Sequence, residues 1–359
     1  MHIAFFHEKF PFGGGEAVTS GIVKGLHHKY PEVKTTVFAI KPMSGANSDV
    51  ISSTSEEIAS KATKLGVDVL VVAFSTRPSL FKRIKSEAPH IKVVFHLHSQ
   101  PMWQVRHKMG QGRLKYWLER LFGQYTRRYL RHYREIFRAA DAIVTLCPTY
   151  AKVLQQIVGD TGGDDSKIVS IYNPMSLPKT VSSHEKEIIY VGRLSGPDKR
   201  VDRLLRIWQK AGPSHPDWKL TIVGDGPQMD SLIALGHELG LQRIAFAGHT
   251  AAPERYYSRA SVLCLTSEYE GWPLVLAEAM AYGVKCIAFD CSAGVHELLA
   301  DGRGVLITPG GEEKYATELS RMISGEPALS DPTPLLARLT PESVAGRWME
   351  LSDKLCLKK

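Results

Sequence analysis

Two glutamates and a nearby pair of basic residues have the types and spacing to hold a phosphorylated ligand. In the segment Glu270-Gly271-Trp272-Pro273-Leu274-Val275-Leu276-Ala277-Glu278, proline suits the first turn of a helix, and Gly283 suits its end. Glu270 then lies in the loop before the helix, with Glu278 more than a turn inside it. Were both helical, they would stand about 80° apart. With the first in a loop, both carboxylates can converge on one ligand. Between them, the helix start at Gly271, Trp272, Pro273 and Leu274 offers unbonded N–H groups and a positive dipole end, which suits a phosphate. Arg193 and Lys199, in Gly192-Arg193-Leu194-Ser195-Gly196-Pro197-Asp198-Lys199-Arg200, suit the same ligand. A guanidinium grips a diphosphate through two bonds, and an ammonium acts as a point charge.

Other groups say less on their own. Gly13-Gly14-Gly15-Glu16 follows an apolar run and lets backbone approach a phosphate closely, but it lacks the G-x-G-x-x-G spacing of a dinucleotide fingerprint. Gly224-Asp225-Gly226-Pro227 reads equally as a turn or a ligand wall, and Gly248-His249 ends another apolar run. Strand alternation puts His96 and His98 on one face. A metal pair there has no third ligand at a suitable spacing, so a single hydrogen-bonding His98 at the strand end is expected. No D-x-D occurs, Glu268-Tyr269-Glu270 being the nearest approach, and no metal is expected.

The elements that must position these residues are legible as short apolar runs, each followed by a turn and a helix-length amphipathic segment. The first series is Ile3–Phe6, Thr36–Ile40, Val67–Ala73, Lys92–Leu97, Ala142–Leu146 and Ile168–Ile171. After a Pro/Ser/Lys-rich stretch the pattern restarts with Ile188–Val191, Lys219–Val223, Ile244–Ala247, Val262–Leu265, Lys285–Phe289 and Val305–Ile307. Continuous apolar strands alternating with helices indicate parallel sheets covered on both faces, here in two doubly wound α/β domains. Open parallel sheets bind ligands beyond the carboxyl ends of their strands. In the second series those ends carry the glycine-rich, polar segments already named.

Composition sets the outer limits. The 359 residues are 43% hydrophobic and 23% charged, which excludes disordered and fibrous classes. Lys+Arg of 45 against Asp+Glu of 37 gives a formal net charge of +8, pointing to an anionic partner. That excess is concentrated in residues 101–140, where Arg106, Lys108, Arg113, Lys115, Arg120, Arg127, Arg128, Arg131, Arg134 and Arg138 face only Glu119 and Glu135. Trp103, Tyr116, Trp117, Phe122, Tyr125, Tyr129, Tyr133 and Phe137 interleave with them. A basic helix with aromatic anchors suits an anionic membrane surface, while a solvated helix whose aromatics pack on the core is the alternative. No nucleic-acid-binding motif accompanies the charge. Five cysteines without C-x-x-C spacing, Cys264 and Cys286 in strand-like runs, read as buried reduced thiols. With neither signal-peptide nor membrane-spanning pattern, a cytoplasmic protein attached peripherally to the inner face of the membrane is expected.

These motifs resemble family 4 of the glycosyltransferases, retaining enzymes of GT-B architecture, and among them the bacterial lipopolysaccharide core and capsular polysaccharide transferases. The match is best from Ile188 to Gly310, through Val191-Gly192-Arg193-Leu194, Phe246-Ala247-Gly248-His249, the Glu-x7-Glu of Glu270 and Glu278, and Asp301-Gly302-Arg303-Gly304. The resemblance implies two Rossmann-like domains facing across a cleft: an acceptor-side domain over 1–175, a linker over 176–186, a nucleotide-sugar-binding domain over 187–338, and a helix over 339–359 crossing back to the first. It implies transfer of a hexose from a nucleotide-diphosphate sugar, UDP being the commonest nucleotide, to a saccharide or lipid-linked acceptor, without metal or other cofactor. Arg193 and Lys199 would bind the diphosphate, helped by the helix start from Gly271 to Leu274. Glu278 would take the ribose hydroxyls, Glu270 would face the sugar, and Gly248 and His249 would meet the base. Gly14 and Gly15 would close on the phosphates, and His98 would approach the transferred sugar. Two other readings remain open: a nucleotide-sugar 2-epimerase of the same fold, and a non-catalytic nucleotide-sugar-binding protein at the membrane surface.

Overall fold

The computed structural model describes residues 1–10, 14–42, 50–73, 77–109, 112–159, 162, 164–178 and 184–357, with only the backbone of Gly14 and Arg113. Gly13 of the glycine run, residues 179–183 of the expected linker, and Lys358 and Lys359 lie outside them. The chain forms two compact units, Met1–Met175 with Arg338–Lys359, and Ser176–Ala337.

The first unit is built on a parallel sheet of β1 (His2–Phe10), β2 (Lys34–Pro42), β3 (Val50–Ser52), β4 (Val69–Val72), β5 (Lys92–His96), β6 (Ala142–Thr145) and β7 (Ile168–Ser170). Its spatial order is β3-β2-β1-β4-β5-β6-β7. Every residue of β4 and of β6 is buried, the condition for a sheet covered on both faces. Helix Pro78–Glu87 sets Phe81 edge-on against Phe95 at 5.4 Å, and helix Gln124–Ala139 adds Tyr133, Ile136 and Phe137 to the same core. The carboxy-terminal helix Pro341–Leu357 packs on helix Gly14–Lys29 and buries Trp348, whose ring meets Phe5 at 6.0 Å and His96 at 5.2 Å.

The second unit holds β8 (Glu187–Val191), β9 (Lys219–Val223), β10 (Ile244–Gly248), β11 (Val262–Leu265), β12 (Lys285–Phe289) and β13 (Val305–Ile307) in the order β10-β9-β8-β11-β12-β13, again parallel. Helix Val201–Ala211 shows why the chain folds so: Val201, Leu204, Leu205, Trp208 and Ala211 recur at helical spacing and are buried against the sheet and helix Glu312–Ile323. Cys264 and Cys286 lie in buried strands, where loss of water pushes both thiols up, Cys264 to about 12. In both sheets the strand order reverses beside the first strand, between β1 and β4 and between β8 and β11. Those are the points where an open sheet leaves a crevice for a ligand.

The basic stretch is not the single helix its composition suggests. It forms three, Trp103–Met109, Arg113–Phe122 and Gln124–Ala139, the last two separated by Gly123 at φ 57°. Its aromatics divide accordingly: Tyr133 and Phe137 are core residues, whereas Trp117 and Phe122 are exposed.

Candidate functional site

At the switch point of the second sheet, the loops after β8 and β11 bring Lys199 and Glu270 together. Lys199 Nζ donates to Glu270 Oε1 at 2.7 Å, and Ser267 Oγ donates to the same oxygen at 2.6 Å. The Glu270 side chain is only 9% exposed, so it is held in a partly dry environment. Both bonds fall on Oε1 and leave Oε2 to another donor. Lys199 uses one of its three protons here. Removing either partner would leave the other charge poorly compensated, at a cost of about 3 kcal/mol.

Helix Leu274–Ala281 begins directly after this loop. Pro273 stands at its N-cap, one position earlier than the first-turn placement expected, and no side chain caps the helix. Its first amides and positive dipole end therefore suit an anion. Glu278, one turn further in, is half-buried and accepts a hydrogen bond from Tyr257 Oη at 2.7 Å. Burial raises its carboxyl above the usual range, and the Tyr257 bond opposes that shift. Trp272 is buried beside the helix start.

The neighbouring turns need glycine for close approach. Gly224 sits at φ 138°, and a Cβ there would lie 1.8 Å from the Gly192 carbonyl oxygen. A Cβ on Gly294, at the start of helix Ala293–Leu299, would lie 2.1 Å from the Gly271 oxygen, so that helix backs directly onto the loop carrying Glu270. Leu194 N donates to Asp225 O at 2.9 Å and Gly224 N to Gly248 O at 2.9 Å, tying the carboxyl ends of β8, β9 and β10 together. Gly248 ends a bulged edge strand, and His249 and Arg193 are exposed.

In the first unit, His98 lies just past β5 with its ring 3.9 Å from that of His96, the centroids tilted by 45°. The shared face is as the alternation predicts. Both ring nitrogens of His98, and both of His96, are buried without a hydrogen-bond partner among the described residues, which leaves His98 able to bond a ligand. Among the described residues no group of three potential ligands is placed to hold a metal. His7, bonded to Thr19 Oγ1 at 2.9 Å, is pushed down to about 4 by burial. Burial and the neighbouring His7 push His98 down to about 3. Gly15 packs against the His98 ring, where even a Cβ would make ordinary contact at 3.6 Å.

The basic residues expected to face a membrane are spread over the three basic helices. Arg106, Arg120, Arg127, Arg128 and Arg131 are exposed and Lys108 and Lys115 half-buried, while the Arg113 side chain lies outside the described atoms. Sequence reasoning missed Ser267, three residues before Glu270 and bonded to it, just outside the Glu270–Glu278 motif. It also missed Tyr257, whose distance along the chain from Glu278 leaves no local signal.

Comparison with known proteins finds likeness to glycosyltransferases. Residues 185–325 match the family model described as glycosyl transferases group 1. The lipopolysaccharide 1,6-galactosyltransferase of Salmonella typhimurium is 34% identical over 200 residues, covering 50% of this chain and 55% of that protein. The chain spans about half the length of the curated relatives it matches. Two solved structures are similar over nearly the whole fold. The apo form of the lipopolysaccharide outer core galactosyltransferase WaaB gives a TM-score of 0.76 at 22% identity, covering 98% of each chain. Anabaena HepE in complex with UDP and glucose gives 0.73 at 17% identity, covering 99% of this chain and 100% of the other. The fold is that of the GT-B glycosyltransferases, and the chain resembles the lipopolysaccharide core enzymes.

Proposed function

We propose that the protein is a retaining glycosyltransferase that moves a hexosyl group from a nucleotide-diphosphate sugar, UDP-linked, to a saccharide or lipid-linked acceptor in cell-surface glycan synthesis. The Lys199–Glu270 pair carries this reading: it lies at the switch point of the second sheet, beside an uncapped helix start that leads to Glu278. Arg193, Lys199 and that helix start receive the charge of the departing diphosphate as the anomeric bond lengthens toward an oxocarbenium-like state. Positive charge for this step comes from the protein itself, and no metal is needed. Glu278 accepts from the ribose hydroxyls, and Glu270 Oε2 faces the sugar. The acceptor hydroxyl attacks from the face the diphosphate leaves, and a leaving-group oxygen takes its proton. The assignments of Gly248 and His249 to the base, Gly14 and Gly15 to the phosphates, and His98 to the transferred sugar rest on the family resemblance. Transferase relatives favour this reaction over a 2-epimerase.

We also propose peripheral attachment to an anionic bilayer. On helix Arg113–Phe122, Leu114 (72% exposed), Trp117 (54%), Leu121 (67%) and Phe122 (59%) recur at one-face spacing, with Lys115 and Arg120 beside them. Release of UDP from UDP-hexoses in the presence of glycan acceptors, abolished by Lys199→Ala and by Glu278→Ala, is the test. Tight donor binding with no turnover on any acceptor supports the non-catalytic reading instead.

A further inference from the structure

Arg203 touches none of the proposed donor contacts, yet its side chain is only 14% exposed and joins four elements behind them. One guanidinium nitrogen lies 2.7 Å from Glu268 Oε2 in the loop after β11. Its Nε lies 3.5 Å from Glu312 Oε1, at the start of helix Glu312–Ile323. The guanidinium stands 5.7 Å over the ring of Phe289, the last residue of β12. Arg203 itself belongs to helix Val201–Ala211, which follows directly on the loop carrying Lys199.

Two backbone contacts run alongside. Glu268 N donates to the Asp198 carbonyl at 2.8 Å, and Thr266 Oγ1 donates to the Arg200 carbonyl at 3.0 Å. The segments that present Lys199 and Glu270 are thus stitched together at the residues on either side of Lys199 and just before Glu270. The backbone stitches fix how close the loops come. The Arg203–Glu268 contact holds the second loop through a side chain two residues before Glu270.

We infer that Arg203 is a positioning residue of the donor site: by holding Glu268, it sets the angle at which Glu270 meets Lys199 and the sugar. The inference rests on the donor-site reading above. A planar fork can serve two carboxylates at once, which an ammonium on a flexible stem does poorly. Arg200 also lies within electrostatic reach of Glu268 and Glu312, but its guanidinium is already bonded to Asp202 at 2.9 Å through two nitrogens. Losing Arg203 therefore removes the geometry and leaves a nearby positive charge. A displaced Glu270 costs rate more than binding, because its contact with the sugar counts most as the anomeric centre reacts.

The experiment compares Arg203→Gln, Glu268→Gln, the double variant and Arg203→Lys in the full chain. It reads UDP release and amide hydrogen exchange over residues 266–272. Each glutamine variant should lower kcat about tenfold with donor KM within about twofold. The double variant should be no worse than the poorer single one, because the two residues act as a unit. Arg203→Lys should recover only part of the loss, and exchange over 266–272 should quicken in Arg203→Gln. Unchanged exchange with unchanged kcat would overturn the positioning role, as would losses that multiply in the double variant. A wild-type chain that releases no UDP, while exchange still quickens in the variant, sinks the donor reading and leaves the loop-holding role standing.

Discussion

Glu270 and Glu278 share a motif but sit in different surroundings, and that difference sets what each can do. Glu270 is held in place by Lys199 and Ser267, so in the proposed reaction it can face a cationic transition state without moving. Lys199→Ala leaves Glu270 unbalanced and, in the proposed reaction, removes a positive charge that meets the departing diphosphate. A fall in kcat of about 10²- to 10³-fold is expected, measured by UDP release. Glu278 is half-buried, and its carboxyl is raised by burial. In the proposed donor site it must be ionised to take two ribose hydroxyls, and a raised value means that acidification protonates it sooner than an ordinary glutamate. Donor KM should therefore climb as pH falls toward the raised value, at a pH above the usual glutamate range. Glu278→Gln should show a weaker site with that dependence removed. The sequence made both glutamates visible because Pro273 and Gly283 bracket the helix between them. Tyr257 was invisible, since only the fold brings it to Glu278.

The carboxyl edge of each sheet is an assembly of turns, and the turns have little slack. Gly294→Ala would drive a methyl group into the Gly271 carbonyl and push the loop carrying Glu270 from behind. It should cost about 2 kcal/mol in urea unfolding and impair turnover out of proportion to that loss. In the first unit, His7 and His96 are buried, His98 is half-buried with both ring nitrogens out of water, and all three are held neutral well below an ordinary histidine. Unfolding frees them to take protons at about 6.5, so stability is full above that pH and falls as pH drops below it. Each histidine contributes up to about 1.4 kcal/mol per pH unit in that window. Urea midpoints measured from pH 7 to 5 should fall, and His96→Phe should flatten the slope. The strands were legible because each is a continuous apolar run between turn residues. β3 escaped because three residues, Val50–Ser52, carry too little pattern at a sheet edge. The basic stretch misled because composition cannot say which aromatics face the core. Gly112 and Gly123 were the available signs that it breaks.

Across the whole chain, the net charge of +8 has a place and a companion. Most of the excess lies on helices of the first unit, and one of them exposes an apolar face. Vesicles with anionic lipid should bind the protein in a salt-sensitive way. Trp117→Gln with Leu121→Gln should weaken that binding without lowering turnover on a soluble acceptor. Equal binding to neutral vesicles would leave the arginines as a solvated surface. The central claim, however, concerns the second unit and its donor chemistry, and nucleotide release from a panel of nucleotide sugars addresses it most directly. With wild type beside Lys199→Ala and Glu278→Ala, UDP release from a UDP-hexose, dependent on acceptor and lost in both variants, is the predicted result. Release that survives both substitutions, or no release from any member of the panel, would contradict it.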